Sequence, residues 1–234
     1  MNTIFRLVVR TQLTRGRAVA LGALGTLAVI LAIAARAGAD ADVNRSMHDI
    51  IDGLGLAVLA PVTSLVLASA ALGDLAEDRT LVYVWLRPLA RWKMALGALA
   101  ASLAVSLPFV LVPLIAAVLI GGTGGDLLVA TIAGAVVAVT GYTALFLGLG
   151  LRVKRALVWG LGYVVIWEGA VARTARGAAR ISVQVYARSL LAAIADYAPP
   201  RQAASVGASI IVPIVVVIVA YVVTVRWLQR AEVA

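Results

Sequence analysis

The sequence predicts an all-α integral membrane protein with six transmembrane helices in a single domain over residues 1–234. Hydrophobic residues make up 63% of the chain and its mean hydropathy is +1.03, whereas soluble domains are about half apolar. The apolar residues form runs close to the roughly 20 residues that cross a bilayer. Charged residues, 13% of the total, lie mostly between these runs, so little sequence is left for a separate soluble domain.

Residues 2–17 predict an amphipathic helix that lies in the membrane interface before the first span. Apolar residues alternate there with bases, a pattern typical of interfacial helices. The apolar positions are Ile4, Phe5, Leu7, Val8 and Leu13, and the bases are Arg6, Arg10, Arg15 and Arg17. Two interpretations stay open: a basic anchor that fixes topology, and an elbow helix that moves with the first span.

Six spans are predicted, and each is an apolar run of about the required length. They are Ala18–Ala35, Ile51–Leu72, Met94–Ile120, Leu127–Leu151, Ala156–Val171 and Val206–Trp227. The third contains Pro108 and Pro113, which predict a kink. The fifth is the shortest and contains Glu168.

The distribution of basic residues predicts the orientation. Thirteen bases fall at one set of junctions and seven at the other, and the positive-inside rule places the richer set in the cytoplasm, with both termini. The richer set is Arg6, Arg10, Arg15, Arg17, Arg79, Arg87, Arg91, Lys93, Arg152, Lys154, Arg155, Arg226 and Arg230, and the other is Arg36, Arg45, Arg173, Arg176, Arg180, Arg188 and Arg201. Because the bases are dispersed among junctions, they favour contact with anionic lipid and not with nucleic acid.

The segment between spans two and three, Gly73–Lys93, is too polar for hydrocarbon, because it holds three acids, four bases, two Trp and a Tyr. Asp74 and Glu77 form a D-x-x-E pair that predicts the start of a short helix, with Thr80 as a second possible cap. This helix must end before Pro88, because the residue preceding a proline is biased away from helix. The residues that follow, Arg91, Trp92 and Lys93, are predicted interface anchors at the start of span three.

Residues 176–197 predict a second helix outside the spans, on the outer side. Its apolar positions recur at helical spacing, and Pro199 and Pro200 end it. The apolar face carries Val183, Tyr186, Leu190, Ile194 and Tyr197, and a neighbouring face carries Arg176, Arg180, Gln184 and Arg188. We expect this helix to lie in the outer interface or to dip back between the last two spans, either as a surface helix on anionic headgroups or as a lid.

Glu168 is the one ionisable residue well inside an apolar run, which makes it a functional candidate. It lies near the outer end of span five, so a carboxylate that reaches the interface is an equal alternative, with Arg173 and Arg176 as candidate partners. In span four, Gly134, Gly141 and Gly148 form a small-residue stripe that predicts close helix packing, either within the chain or between protomers.

No motif for catalysis or for a resident cofactor is found. The chain has no cysteine and a single His, and it contains no phosphate-binding loop, H-E-x-x-H or G-x-S-x-G motif. The acids and the His of residues 38–49 (Asp40, Asp42, His48 and Asp49) predict a solvated loop and not a metal site. We therefore expect no catalytic, cofactor-binding or metal-binding residues in this chain.

The loop from Glu77 to Trp92 resembles the loop between spans two and three of the ABC-2 type permeases, the transmembrane subunits of bacterial ABC transporters. That family commonly reads E-x-x-G-T-L-x-Y-L-L-x-R-P-[IVL]-x-R-W followed by L-G-K, and this chain departs from it at Arg79 and Ala98, where Gly and Lys are usual. The six-span layout, the amphipathic N-terminus and the polar insertion before span six are also similar to the family.

The resemblance implies a transport subunit that has no ATPase site of its own. Residues around 74–88 would be the coupling helix under which a separate ABC ATPase subunit docks, in two copies that supply ATP and Mg²⁺ chemistry. The docking residues would be Asp74, Glu77, Asp78, Arg79, Thr80, Leu81, Tyr83, Trp85, Arg87 and Pro88. A second permease protomer, identical or paralogous, would complete the pathway in the inner (cytoplasmic) membrane, and the resemblance favours export (efflux) of a hydrophobic or amphiphilic drug, lipid or peptide.

Two other classes of function remain open from the sequence. The first is a membrane scaffold or regulatory subunit whose loop docks a partner that is not an ATPase. The second is a secondary carrier or channel, which is disfavoured because such proteins usually carry acidic pairs or mid-span bases.

Overall fold

A computed structural model describes residues 2–38, 42–77, 90–174, 176–197 and 202–230 of the chain. Regular structure in these residues is entirely helical. The first half contains α1 (Asn2–Gln12), α2 (Arg15–Ala37), α3 (Val43–Ile50), a π-helical stretch (Ile51–Leu59), α4 (Ala60–Glu77) and α5 (Arg91–Gly121). The second half contains α6 (Gly125–Arg152), α7 (Ala156–Gly162), a second π-helical stretch (Tyr163–Val171), α8 (Ala172–Thr174), α9 (Arg176–Ala179), α10 (Val183–Ile194) and α11 (Val206–Arg230).

Five helices in the described residues are long and apolar enough to cross a membrane. They are Arg15–Ala37, Val43–Gly73, Arg91–Gly121, Gly125–Arg152 and Val206–Arg230, and they contain predicted spans one to four and six. The predicted fifth span, Ala156–Val171, is helical over the predicted bounds but is too short to qualify, as is Val183–Ile194. The described residues thus contain five candidate spans, whereas the sequence predicts six.

The N-terminal helix is shorter than predicted and is docked into the bundle. It ends at Gln12, whose buried side chain donates hydrogen bonds from Nε2 to the Leu67 carbonyl (3.0 Å) and to Ser102 Oγ (2.7 Å). A new helix then begins at Arg15. Gln12 therefore ties α1 to both α4 and α5, a contact that the amphipathic pattern does not reveal.

Helix α5 ends in a tight turn that lets α6 return alongside it. Gly122 takes the left-handed conformation, with φ +68°, which glycine adopts without steric cost. Arg36 of α2 donates from Nη1 to the carbonyl of Ile120 (2.7 Å). Pro108 and Pro113, which predict a kink in the third span, both lie inside α5.

The central helix of the described bundle is α6, which packs against α4, α5, α10 and α11. Its glycines mark the closest contacts, because an added Cβ on Gly141 would lie 2.8 Å from Val183, and one on Gly134 would lie 3.2 Å from the Ala187 carbonyl. An added Cβ on Gly148 would likewise lie 2.9 Å from Thr224 of α11. The small-residue stripe therefore serves packing within the chain, and the alternative of a seam between protomers is wrong.

The C-terminus of α11 lies at the same end of the bundle as the C-terminus of α6 and the start of α5. Arg91 Nη1 donates to the Leu228 carbonyl (3.1 Å), and the Tyr221 hydroxyl donates to the Trp92 carbonyl (2.9 Å). We call this the basic end, defined by Arg152, Lys154, Arg155 and Arg230. Since α11 finishes here, it starts at the opposite end, and residues 153–205 must pass from one end of the bundle to the other.

Two short helices make this passage. The Tyr163 ring packs edge-on against Phe146 (6.1 Å between centroids), and Val183 packs on Gly141. Gly141 lies eleven residues from Arg152 and sixteen from Gly125, or about 17 and 24 Å at 1.5 Å per residue. The helix over 156–171 thus ends, and α10 begins, beside the middle of α6. Tyr197, just past α10, stacks on His48 at the opposite end (3.6 Å).

Candidate functional site

Helix α10 is held at its N-terminus by the carboxylate of Glu168, which comes from the second π-helical stretch. The Val183 amide donates to Oε1 (3.2 Å), and the Ser182 hydroxyl donates to Oε2. Ser182 Oγ also accepts from the Val185 amide (3.2 Å) as the N-cap of α10. Glu168 therefore supplies acceptors, directly and through Ser182, to a helix terminus whose first amides have no partner within the helix.

Glu168 is buried, with 2% of its surface exposed, so the alternative of a carboxylate that reaches the interface is wrong. Its Oε1 also accepts from the Tyr163 hydroxyl (3.0 Å). The Tyr142 phenol, fully buried on α6, interacts electrostatically with the same carboxylate. The side chains of the predicted partners Arg173 and Arg176 lie outside the described residues.

A second carboxylate holds the other half of α10. Asp52, in the first π-helical stretch, accepts from both Nε and Nη2 of Arg188. His48 lies one turn before Asp52 and stacks on Tyr197, which follows α10. As a surface helix, this segment would direct Arg188 toward headgroups, whereas Arg188 binds Asp52 of the first π-helical stretch.

The surface-helix alternative for residues 176–197 is also wrong. The predicted continuous helix is interrupted at 180–182, and eight of the twelve residues of α10 are buried, Gln184 among them. The chain turns at the interruption, where the Tyr186 hydroxyl donates to the Arg180 carbonyl (2.7 Å) and the Arg180 side chain is exposed. The predicted apolar face is buried as expected, since Val183, Tyr186 and Leu190 all pack inward.

The candidate docking segment lies largely outside the described residues, because 78–89 are not described. This covers Asp78, Arg79, Thr80, Leu81, Tyr83, Trp85, Arg87 and Pro88. Asp74 and Glu77 lie in the last turn of α4, which continues through Glu77. They are therefore inside the end of one helix, and the prediction that Asp74 starts a new helix is wrong.

The three predicted interface anchors form the first turn of α5 at the basic end. Lys93 Nζ lies over the Trp92 ring, 5.4 Å from its centroid, and Trp92 is 48% exposed. The backbone of Trp92 and the side chain of Arg91 bind α11, through the hydrogen bonds to Tyr221 and Leu228. These residues thus join the start of α5 to the end of α11.

The acidic residues near His48 have structural roles where they are described. Asp42 is the N-cap of α3 and accepts from the Arg45 amide (3.3 Å). Among the described residues no group of three or more His, Asp or Glu side chains could hold a metal ion. Asp40 lies outside the described residues.

An apolar cavity of about 720 Å³ opens between α6, the helix over 156–171 and α11. We call it the aromatic cleft, defined by the rings of Phe146, Trp159, Tyr163, Trp167 and Trp227 together with Ile181. It extends from the basic end, where Trp159 and Trp227 lie, to the interruption before α10, where Ile181 lies. Sequence reasoning missed it, because its rings come from three separate segments.

Comparison of the chain with models of protein families, with curated proteins and with solved structures gives no match.

Proposed function

We propose that this chain is the transmembrane subunit of an ATP-driven exporter of the ABC-2 permease type, with ATP hydrolysed by a separate subunit. One observation supports the proposal: the two helices that flank the motif-bearing residues, α4 ending at Glu77 and α5 beginning at Arg91, end and begin at the basic end. Gly73, near the end of α4, lies against Gly150 of α6, and Arg91 of α5 bonds to Leu228 of α11. The basic end is the cytoplasmic end under the positive-inside rule, where an ATPase must dock.

In this proposal the protein crosses the membrane six times, and the fifth crossing is made by two half-helices. Residues 156–171 and α10 are each too short to span, but end to end they traverse the bundle beside α6. Interrupted backbone is tolerated at membrane depth only where its polar groups are satisfied. At the N-terminus of α10, Glu168 and Ser182 accept hydrogen bonds from the backbone amides. Transporters build substrate pathways from such discontinuous helices.

The remaining parts of the proposal follow from the same arrangement. Two ATPase copies, with their ATP and Mg²⁺, dock under the 74–88 segments of two permease protomers in the inner membrane, both termini being cytoplasmic. Closure of the ATPases moves α4 and α5, which flank the docking segment, and the movement reaches α10 through α6, against which α4 and α10 both pack. The cargo is a hydrophobic or amphiphilic molecule.

The docking proposal is tested by charge reversal in the full-length chain. The tagged protein is purified from its own host, and a co-purifying subunit with a phosphate-binding loop is sought by mass spectrometry. Glu77→Arg combined with Arg87→Glu should abolish its recovery and its stimulated ATP hydrolysis. Arg45→Glu, an exposed reversal at the opposite end of the bundle, is the matched control and should leave both unchanged.

The same experiment separates the alternatives. Recovery of a partner that lacks a phosphate-binding loop, and that the double reversal releases, would favour a scaffold or regulatory subunit. Wild-type recovery of the ATPase by the double variant would show that docking does not use residues 74–88.

A further inference from the structure

We propose that the aromatic cleft is a binding site for the apolar part of an uncharged aromatic small molecule. The inference deepens the proposed function, since it rests on an exporter whose cargo enters from the bilayer, but the cleft itself can be tested without an ATPase. Its volume of about 720 Å³ is within the range of about 300–1,000 Å³ that is typical of small-molecule sites.

The lining defines the chemistry of the ligand. The described residues that line the cleft are uncharged, so a bound charge would lose its hydration without gaining an oppositely charged partner. The two hydroxyls are already engaged, since Tyr163 donates to Glu168 and Thr224 donates to the Ala220 carbonyl (2.8 Å). Five aromatic rings surround the cavity, and such rings favour offset or edge-on contact with another ring.

The shape of the cleft distinguishes it from the apolar surface that faces lipid. Ile210, Ile211, Ile214 and Ile218 of α11 are 46–62% exposed and lie outside the cleft. They form an apolar face on a single helix, which bilayer chains or a second copy of the protein can cover. The cleft lies between three helical segments, so a small ligand seated in it contacts more than one helix.

The position of the cleft connects a ligand to the interruption of the fifth crossing. The Tyr163 ring lines the cleft while its hydroxyl binds Glu168. Ile181, which lies within the interruption, also lines the cleft and immediately precedes Ser182, another partner of Glu168. A ligand seated there touches the first half-helix and the interruption that precedes α10, beside the carboxylate that binds the N-terminus of α10.

The binding test uses the purified full-length chain in nanodiscs and N-phenyl-1-naphthylamine, an uncharged aromatic fluorophore. Three of the five tryptophans of the chain line the cleft, so energy transfer from tryptophan to the probe reports binding there, after subtraction of empty nanodiscs. Saturable transfer is expected for the wild-type protein.

Matched pairs of substitutions on α11 locate the site. Val219→Phe with Val223→Phe fills the cleft and should weaken binding about tenfold or more. Ile218→Phe with Val222→Phe introduces the same two rings at positions of α11 outside the lining and should change binding less than about twofold. Equal binding by both variants, or a signal that does not saturate in the wild type, overturns the proposal.

Competition and cross-linking decide among occupants. Displacement of the probe from the wild-type protein by anthracene, but not by the uncharged ester methyl palmitate, supports an aromatic ligand, whereas equal displacement assigns the cleft to acyl chains. Disulfide-linked dimers of Val219→Cys in the membrane would assign it to a second copy. Equal displacement by the two compounds, or disulfide-linked dimers, would overturn the proposal.

The outcomes for the cleft and for docking can be distinguished. If the probe binds but no ATPase co-purifies, the docking proposal fails and the cleft proposal is retained. If an ATPase co-purifies but the probe does not bind, only the cleft proposal is rejected.

Discussion

Asp52 and Arg188, which lie 136 residues apart in the chain, form a two-pronged ion pair between the first π-helical stretch and α10. Glu168, in the second π-helical stretch, binds the N-terminus of the same helix. Helix α10 is therefore held at two points by carboxylates from the two π-helical segments. Such segments are rare and occur frequently at functional sites, and here both serve one short helix at the interruption.

The Asp52–Arg188 pair should contribute measurably to stability because its side chains are only 23% and 20% exposed. In a double-mutant cycle with Asp52→Asn and Arg188→Gln, we expect a coupling energy of about 1–2 kcal/mol, above the ~0.2–1 kcal/mol of exposed pairs. Thermal unfolding in detergent micelles, followed by tryptophan fluorescence, provides the measurement. A coupling that vanishes at about 1 M salt, where exposed pairs are screened, would contradict a partly buried pair.

Replacement of Glu168 should destabilise the protein according to how many donors lose their acceptor. In Glu168→Leu the Tyr163 hydroxyl, the Ser182 hydroxyl and the Val183 amide lose their acceptor. The free energy of unfolding should fall by about 3 kcal/mol or more. Glu168→Gln keeps one oxygen and should cost less. Ser182→Ala removes the N-cap of α10 and should cost about 1 kcal/mol. Equal unfolding temperatures for the Leu and Gln variants would show that the acceptor is not needed.

Cysteine labelling should place Lys154 and Ala203 on opposite sides of the membrane. Both are exposed and lie on either side of the two half-helices, and the chain has no native cysteine. With an impermeant thiol reagent, Ala203→Cys should be labelled in intact cells and Lys154→Cys only after the membrane is ruptured. Labelling of both from the same side would mean that residues 155–202 do not cross.

Gly150 should not tolerate a side chain, because α4 and α6 are in backbone contact there. An added Cβ would lie 2.7 Å from the Ser69 Cα and closer still to its carbonyl, so the helices must separate, at a cost of about 1–3 kcal/mol. Gly22→Ala on α2 is the control, since nothing lies within 4 Å of its added Cβ, and it should be neutral or stabilising by up to about 1 kcal/mol. Indistinguishable unfolding temperatures would contradict the close packing.

Sequence reasoning found the long apolar helices, the amphipathic N-terminal helix and the buried face of α10. It also singled out Glu168 as the residue in an apolar run that needs an explanation. It could not find the partners of Glu168, because Ser182 and Val183 are ordinary residues of a segment that was expected to lie on the surface. The contacts that Gln12 and Arg188 make inside the bundle were also unexpected, because a long polar side chain on an amphipathic helix usually reaches solvent.

The sequence by itself determined that this protein is a helical membrane protein, because the length and polarity of an apolar run decide whether it can leave water. It also determined the polar segment on which the proposed docking rests, since its composition excludes it from hydrocarbon. Only the tertiary structure decided that residues 156–171 and 183–194 lie end to end beside α6, that Glu168 and Asp52 hold α10, and that five rings from three segments enclose one cleft. These relationships depend on which distant residues meet when the helices pack, and hydropathy, which is local, carries no information about such meetings.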